Sequence, residues 1–320
     1  MQTRMPVGID VASGKFDVAV WKGDTSYKTK VFPNTPKGFI ALKKWLEPFG
    51  CCHICMEATG AYSEPLATFL HDEGYDVSVE NPARIRRFGQ AELSRNKTDK
   101  DDARMIARYC KLHGPSLWQP APLNERRLKA LVKRLTNLQE MRQMEENRLE
   151  VSDAVVQPSI RVVIAALDAQ IDETKRAIND HIDNDPGLKK NRELLESIPG
   201  IAGVLSSTML AYLGDMSRFS SSKALVAWVG LNPMRQESGE WKGKSRISKM
   251  GNSAMRKALY MPAIVAMKWN PAVSALKKRL DAGKKTGKVV VCAAMKKLLQ
   301  LAYGVLKSGR PFDAEICLAR

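Results

Sequence analysis

The stretch VGIDVASGKFDVAVW, residues 7–21, decides how the N-terminal part of the chain folds. It contains two runs rich in β-branched and aromatic residues, residues 7–10 and 16–21, and these runs predict two strands. Gly14 and Lys15 lie between the runs, where a tight turn would be needed. The two strands are therefore expected to form a hairpin.

Further strand-like runs and amphipathic stretches alternate through the first 120 residues. The pattern predicts strands at residues 27–32, 53–57 and 76–79, and helices at residues 37–46 and 63–72. Alternation of this kind is typical of the α/β class. We predict one α/β domain over residues 1–120.

The pattern changes to long helices after Trp118-Gln119-Pro120. Leucines follow at positions 128, 131, 135 and 138, and a second apolar series follows Pro158. This spacing predicts a helical hairpin with a coiled-coil seam over residues 121–185, used for dimerisation or as a spacer. Residues 186–320 are predicted to be mostly helical. Their segment Ile198-Pro199-Gly200-Ile201 fits either a phosphate-gripping helix-hairpin-helix turn or an ordinary helix–helix turn.

Positive charge is concentrated in the C-terminal third of the 320-residue chain. The whole chain carries a net charge of +17. Residues 235–310 hold 18 Lys and Arg against three acids, a net of +15, whereas residues 1–234 hold 32 against 29, a net of +3. Charge this localised favours nucleic acid as a partner over a merely solubilising face.

The apolar runs are too short for a membrane span, and the N-terminus lacks a signal-peptide pattern, so we expect a soluble cytoplasmic protein with no membrane partner.

Three of the six cysteines crowd into residues 51–55, which favours reduced thiols over a disulfide framework. Cys52 and Cys55 form a C-x-x-C beside His53. No second pair follows at zinc-ligand spacing, and a buried strand is the favoured interpretation.

Two acidic residues lie in apolar, strand-like runs, where acids are unusual. Asp10 is opposite in phase to Ile9, and Glu57 ends another apolar run. An ionised carboxylate inside a strand is costly unless it is paired, so each of these acids is expected to be either satisfied or functional. Asp17 is the nearest alternative to Asp10 as a functional acid. It lies at the start of the second strand close to Lys15, however, and we expect it to be solvated.

A third group of acids opens a helix that is predicted to run to Cys110. Asp99 and Asp102 are three residues apart and share one helix face. Thr98 and Asp101 fit a capping box, which gives Asp101 a structural role. Acids in a first turn also suit the helix dipole, and this structural explanation stays open for all three acids.

Asp10, Glu57, Asp99 and Asp102 together form a candidate set of oxygen ligands. Hard Mg²⁺ prefers such ligands, and phosphodiester chemistry with two metal ions about 4 Å apart needs bridging carboxylates. By itself the set predicts a metal-dependent nuclease fold, and it says nothing about the rejoining of strands.

The motifs around these acids resemble, in their order along the chain, the DEDD-type insertion-sequence transposases of the IS110 family. The resemblance implies a ribonuclease-H-like N-terminal domain, close to Holliday-junction resolvases, with a four-carboxylate Mg²⁺ site at Asp10, Glu57, Asp99 and Asp102. The segments that carry it are Gly8-Ile9-Asp10, Glu57-Ala58-Thr59-Gly60, Asn81-Pro82, Asn96-Lys97-Thr98-Asp99 and Asp102-Ala103-Arg104.

The resemblance continues through residues 198–201, 227–233, 237–239, 245–251 and 256–261. In the family the serine of the Glu-Ser-Gly step is implied to form a covalent phosphoserine with DNA, and this maps onto Ser238. A lone serine before glycine is more often a turn residue, and no histidine lies nearby to build a Ser-His-Asp triad. Basic residues suited to phosphate surround Ser238: Arg235, Lys242, Lys244, Arg246, Lys249, Arg256 and Lys257.

The resemblance implies a prokaryotic DNA transposase or recombinase that acts on double-stranded donor and target DNA at the nucleoid. It also implies a guide non-coding RNA, and a homo-oligomer, dimer or tetramer, in which carboxylate and serine sites act together across chains. Two alternatives stay open: a Holliday-junction-resolving nuclease without a serine intermediate, and a non-catalytic nucleic-acid-binding protein.

Overall fold

The computed structural model describes residues 4–24, 26–92, 98–234, 237–238, 241–242 and 246–318. The chain divides into two compact units, Met1–Pro120 and Ala121–Arg320. The long helices predicted over residues 121–185 lie within the second unit.

The first unit is built on a mixed five-stranded sheet of order β3-β2-β1-β4-β5. β1 pairs antiparallel with β2, and β2 with β3, whereas β1/β4 and β4/β5 are parallel. The predicted strands and α/β class are therefore confirmed. The bounds are β1 (Met5–Val11), β2 (Lys15–Gly23), β3 (Ser26–Pro33), β4 (Cys52–Glu57) and β5 (Asp76–Glu80).

Four α-helices accompany this sheet among the described residues of the first unit, and the sequence analysis missed the third. It is only ten residues long, and three of them are arginines, so its apolar face consists of little more than Ile85 and Phe88. Asn81 caps it by accepting from the Ala83 N–H at 2.8 Å. The bounds are α1 (Pro36–Leu46), α2 (Glu64–Asp72), α3 (Pro82–Ala91) and α4 (Asp99–His113).

The two faces of β1 point into different parts of the first unit. Val7, Ile9 and Val11 lie in the apolar core that also contains residues of α1 and α2. Because side chains alternate along a strand, Gly8 and Asp10 face the other way, toward α4. A Cβ added to Gly8 would lie 2.2 Å from the carbonyl oxygen of Ala103 in α4. Glycine at this position therefore allows the helix to lie directly on the strand that carries Asp10.

Gly8→Ala is expected to destabilise the protein by about 3 kcal/mol, since the new methyl group would collide with helix backbone that has no rotamer to change. Chemical denaturation with circular dichroism measures the loss in the free energy of unfolding. Gly14→Ala is the matched control: nothing lies within 4 Å of the added Cβ there. Equal stability of the two variants would contradict the proposed close approach of α4 to β1.

The described part of the second unit is largely helical and has one extended apolar core. Its first two helices pack against each other, and Leu128, Leu135 and Leu138 of the predicted seam are buried. The helices are α5 (Leu123–Val151), α6 (Gln157–Asp183), α7 (Pro186–Glu196), α8 (Gly203–Leu213), α9 (Ser222–Val229), α10 (Ser253–Trp269), α11 (Pro271–Ala282), α12 (Gly287–Ser308) and α13 (Ala314–Leu318). The short strands are β6 (Pro233–Met234), β7 (Glu237–Ser238), β8 (Trp241–Lys242) and β9 (Arg246–Ile247).

Among the described residues, α12 is the one helix long and apolar enough to cross a membrane. Just over half of its apolar window, 56%, is buried within the protein. Leu298, Leu299 and Ala302 of this helix belong to the core of the second unit. The burial of α12 is thus that of a core helix in the second unit.

The turn between α7 and α8 contains Pro199 and Gly200 and packs against α10. Gly200 has φ +100°, and an added Cβ would lie 2.7 Å from the Cβ of Ala266. The fully buried Asn270 donates from its side chain to the Pro199 carbonyl oxygen at 3.0 Å. These contacts support the ordinary packing role of the turn, and its gripping of phosphate stays a prediction.

Candidate functional site

Three of the four predicted carboxylates line one cavity of the first unit. Asp10 of β1, Glu57 at the end of β4 and Asp102 of α4 contribute to a cavity of about 470 Å³. The other lining residues come from α3 and α4: Pro82, Ile85, Arg86, Gly89, Gln90, Met105 and Ile106.

Strand register brings Asp10 and Glu57 together. β1 and β4 run parallel, and Ile9 pairs with Met56. Asp10 directly follows Ile9, and Glu57 directly follows Met56, so the two acids lie at the same end of neighbouring strands. Parallel strands present their carboxyl ends at one edge of the sheet, where polar groups from different strands can meet. Asp102 comes from the first turn of the helix that lies on Gly8.

Burial and repulsion between carboxylates both raise the pKa of acids in the cavity. Burial raises the pKa of Asp10 most, and the charges of Asp102, Asp99, Glu57 and Asp17 raise it further, to about 6. Burial also raises the pKa of Glu57, and this rise is opposed by the charge of Arg86. Among the described lining residues, three carboxylates stand against one cation, Arg86, and such an excess of acids suits a cation site.

Asp10→Asn is expected to stabilise the metal-free protein at pH 7.5. The pKa of Asp10 rises from 3.8 to about 6 on folding, so stability is lost as the pH increases through that window. Two pKa units correspond to about 3 kcal/mol, and because Asp10 is only half-buried, screening reduces this to about 1 kcal/mol. Urea denaturation in EDTA at pH 7.5 and pH 4 measures the gain, which should shrink at pH 4. A less stable variant at pH 7.5 would contradict the repulsion.

Asp99 lies one turn before Asp102 and binds a lysine instead of lining the cavity. The Lys15 ammonium is 2.8 Å from the Asp99 carboxylate and 3.1 Å from that of Asp17. The hydrogen bond from Lys15 lowers the pKa of Asp99. Asp99 remains exposed and, unlike the other three predicted ligands, is not among the residues that line the cavity.

Asp17 is buried, and the expectation that it is solvated was wrong. It is 7% exposed because α4 covers this face of β2, and it lies directly opposite Asp10 in the hairpin. Its charge is paired with Lys15. The signal in the sequence was the hairpin itself, since the register of residues 7–21 places Asp17 beside Asp10.

Asp101 caps the helix, as the sequence predicts. The Thr98 hydroxyl accepts from the Asp101 N–H at 3.2 Å and donates to the Asp101 carboxylate at 2.7 Å. Arg104 adds an ion pair at 3.2 Å. These bonds fix the start of α4 and, with it, the position of Asp102.

Cys52 and Cys55 lie on opposite faces of β4, and this explains why the C-x-x-C does not form one thiol pair. Cys52 lies in the core with α1 and α2, whereas Cys55 packs beside Cys110 of α4. The Cys110 thiol donates to the His53 carbonyl oxygen at 3.4 Å. The buried-strand interpretation is confirmed.

The predicted serine and basic residues belong to the second unit and are described only in part. Ser238 lies in β7, and its backbone pairs with Trp241 of β8. The side chains of Ser238 and Lys242 lie outside the described residues, as do Arg235 and Lys244 altogether.

Four of the predicted basic side chains in the second unit are described. Arg246 and Lys249 are exposed. Arg256 donates to the Val229 carbonyl oxygen at 2.7 Å, and Lys257 pairs with Glu140 at 2.6 Å. The first two therefore present their charge to solvent, whereas Arg256 also ties α10 to the end of α9.

Comparisons with known proteins cover almost the whole chain. A family model described as "Transposase IS116/IS110/IS902 family" matches residues 192–278, and a DEDD transposase model of IS110 matches residues 7–152. A pilin gene-inverting protein of Moraxella lacunata is 34% identical over 316 residues, covering 97% of this chain and 98% of the relative. The chain belongs to the IS110 family of transposases. A transposase for insertion sequence element IS1111A of Coxiella burnetii is 24% identical over 285 residues, 79% of this chain and 75% of the relative.

The protein is thus an enzyme of DNA recombination, and its family suggests dependence on a divalent metal. Among the described residues, no three His, Cys, Asp or Glu side chains converge closely enough to hold a metal ion as they stand. The carboxylates nevertheless share one cavity and repel one another. Oxygen donors of this kind fit Mg²⁺ once the side chains turn toward a common point.

Glu80 is a buried acid of the transposase that the sequence analysis missed. It pairs in register with Glu57 on the neighbouring strand and is 6% exposed. The Arg84 guanidinium, in the first turn of α3, lies 3.4 Å from the Glu80 carboxylate. An acid at the end of an alternating β-rich run, followed by Asn-Pro, was the available signal.

Proposed function

We propose that this transposase cuts and rejoins DNA with Mg²⁺ bound by Asp10, Glu57, Asp99 and Asp102, and with Ser238 as nucleophile. The observation that supports it best is the shared cavity of Asp10, Glu57 and Asp102, where burial and then repulsion by the other carboxylates raise the pKa of Asp10. A cation in the cavity relieves that repulsion. Asp99 would join the set by leaving Lys15.

When bound, Mg²⁺ would neutralise charge on the phosphate and help the leaving oxygen depart. Asp10 and Glu57 hold their oxygens at the sheet edge, and Asp102 supplies its oxygen from a capped helix. Gly8 fixes the distance between the strand and that helix. The protein thus orients its ligands through backbone that cannot easily shift.

The serine step exchanges one phosphate ester for another. The Ser238 hydroxyl loses its proton, its Oγ forms a bond to phosphorus, and the bond to one deoxyribose oxygen breaks. That oxygen takes a proton and leaves as a hydroxyl. Attack on the phosphoserine by the hydroxyl of a different strand reverses the step, so no energy-rich cofactor is needed for rejoining.

We propose that the nucleic-acid partners are double-stranded donor and target DNA and a guide non-coding RNA. The net charge of +15 over residues 235–310 and the exposed Arg246 and Lys249 support polyanion binding. A homo-oligomer would let carboxylates and serines of different chains act together. The proposal includes a ribonuclease-H-like domain over residues 1–120, a coiled-coil segment over 121–185 and a C-terminal transposase domain over 186–320.

Sequencing the RNA that copurifies with the protein, followed by recombination assays with that RNA and Mg²⁺, tests the proposal. We expect one structured RNA species and RNA-dependent joining of DNA. Binding should weaken steeply as salt rises, because each phosphate contact releases counterions. DNA joining that is unchanged by ribonuclease treatment would overturn the role of the guide, and a flat salt dependence would contradict the charge argument.

A further inference from the structure

Helix α3 brings a cationic face to the carboxylate cavity. Arg86 and Gln90 are one helical turn apart, so they share a face of α3, and both line the cavity with Asp10, Glu57 and Asp102. Among the described residues that line the cavity, Arg86 is the one cation. The cavity therefore joins a set of metal-ligand candidates to a group that binds anions.

Three features hold α3 in this position. Its start is capped by Asn81 and has Pro82 in the first turn. Ile85 on its inner face is buried in a small core with Ile106 of α4. Gly89 leaves room for Met105, whose sulfur would lie 2.4 Å from an added Cβ. The face that carries Arg86 is thus fixed against the helix that carries Asp102.

Arg86 and Arg84 of α3 differ in the groups near their guanidinium charges. The Arg84 guanidinium lies 3.4 Å from the buried Glu80 carboxylate and so has a local structural partner. Arg86 remains exposed at the cavity, and its charge opposes the rise in the pKa of Glu57 that burial causes. A guanidinium with planar, paired N–H donors matches the oxygens of a phosphate.

We propose that Arg86, with Gln90 beside it, binds the scissile phosphate of DNA at the carboxylate cavity. This inference rests on the proposed function, because it needs the carboxylates to act on a phosphodiester. Arg86 would donate to the non-bridging oxygens, and the Gln90 amide would add a neutral hydrogen bond. The Arg86 guanidinium, together with a cation held by the carboxylates, would offset the repulsion between phosphate and carboxylates.

This role predicts an effect on the rate of cleavage rather than on overall DNA affinity. Negative charge on the phosphate oxygens increases in the transition state, so a preorganised donor stabilises the transition state more than the bound substrate. Affinity for DNA would come mainly from the many basic residues of the C-terminal third. Arg86 would therefore contribute to kcat more than to KM.

The test compares Arg86→Ala, Arg86→Gln and Arg86→Lys with Arg87→Ala in the full-length protein. Arg87 is the matched control, since it is exposed on the same helix and does not line the cavity. We expect Arg86→Ala and Arg86→Gln to slow single-turnover DNA cleavage by about 10²–10³-fold. Arg86→Lys should keep part of the rate, Arg87→Ala should match the wild type, and DNA affinity should change little.

Calorimetric titration with Mn²⁺ separates phosphate binding from a structural role. Arg86→Ala should bind Mn²⁺ as tightly as the wild type or more tightly, because a cation next to the site has been removed. Cleavage within threefold of the wild type would overturn the inference, and so would a loss of Mn²⁺ affinity as large as that of Asp10→Ala. Cleavage by Asp10→Ala at the wild-type rate would instead contradict the proposed function.

Discussion

Replacing Asp10 with asparagine is expected to reduce DNA cleavage and recombination by this transposase by about 10³-fold or more. A catalytic metal ion contributes several kcal/mol of transition-state stabilisation, and each 1.36 kcal/mol is a factor of ten in rate. Burial raises the pKa of Asp10 most, and the charges of Asp102, Asp99 and Glu57 raise it further, so Asp10 is within reach of the other three carboxylates. Its removal should therefore weaken metal binding directly.

The measurement is the rate of recombination of a plasmid substrate, together with the Mn²⁺ affinity of the purified variant. Asp24→Asn is the matched control, because Asp24 carries the same group in the exposed turn that follows β2. EDTA should stop the wild-type reaction, and added Mg²⁺ should restore it. Wild-type recombination by Asp10→Asn would show that the cavity is not the catalytic centre.

The stability of Asp10→Asn tests whether its loss of activity is due to misfolding. A misfolded protein would lose activity and stability together. Asp10→Asn is expected to lose activity while the metal-free protein becomes more stable at pH 7.5, because a repelled, half-buried charge has been removed. Opposite changes in the two quantities are typical of a residue kept for function.

Local pattern was enough to predict most of the sheet and part of the site. The run of residues 7–21 predicts the first hairpin because alternation and a turn act over short distances, and the structure confirms it. Thr98 and Asp101 predict the helix cap for the same reason. Asp10 and Glu57 attract attention because acids rarely lie in apolar strands.

The features that were missed depend on contacts between distant segments. Helix α3 is short and arginine-rich, and it is held by Ile85 and Gly89 against α4. The burial of Asp17 depends on α4 covering β2, and its partner Lys15 also binds Asp99. Arg86 faces the carboxylates only because α3 is placed over the cavity. The hairpin register alone places Asp17 beside Asp10, but the burial of Asp17 and the position of Arg86 follow from the packing of helices on the sheet.

Replacing Ser238 with alanine is expected to abolish strand exchange and the covalent protein–DNA intermediate. Alanine has no oxygen that can bond to phosphorus, so the loss should reach the background of the assay. The measurement is the amount of DNA that stays attached to the protein in detergent, together with the yield of joined product. Ser248→Ala is the matched control, with the same change ten residues further along the chain.

The same variant separates a recombinase from a nuclease. If the carboxylates direct attack by water, as in a junction-resolving nuclease, Ser238→Ala should cleave DNA normally and no attached DNA should form in the wild type. If serine is the nucleophile, cleavage and joining should disappear together, while Mn²⁺ binding at Asp10, Glu57 and Asp102 should be unchanged. The carboxylate cavity is compatible with both chemistries, because a metal that assists departure of the leaving oxygen serves either nucleophile. The two chemistries differ in the product of cleavage. A phosphate esterified to Ser238 keeps a phosphodiester that a DNA hydroxyl can attack, so the strand can be rejoined, whereas a phosphate end released by water cannot be rejoined without an energy source.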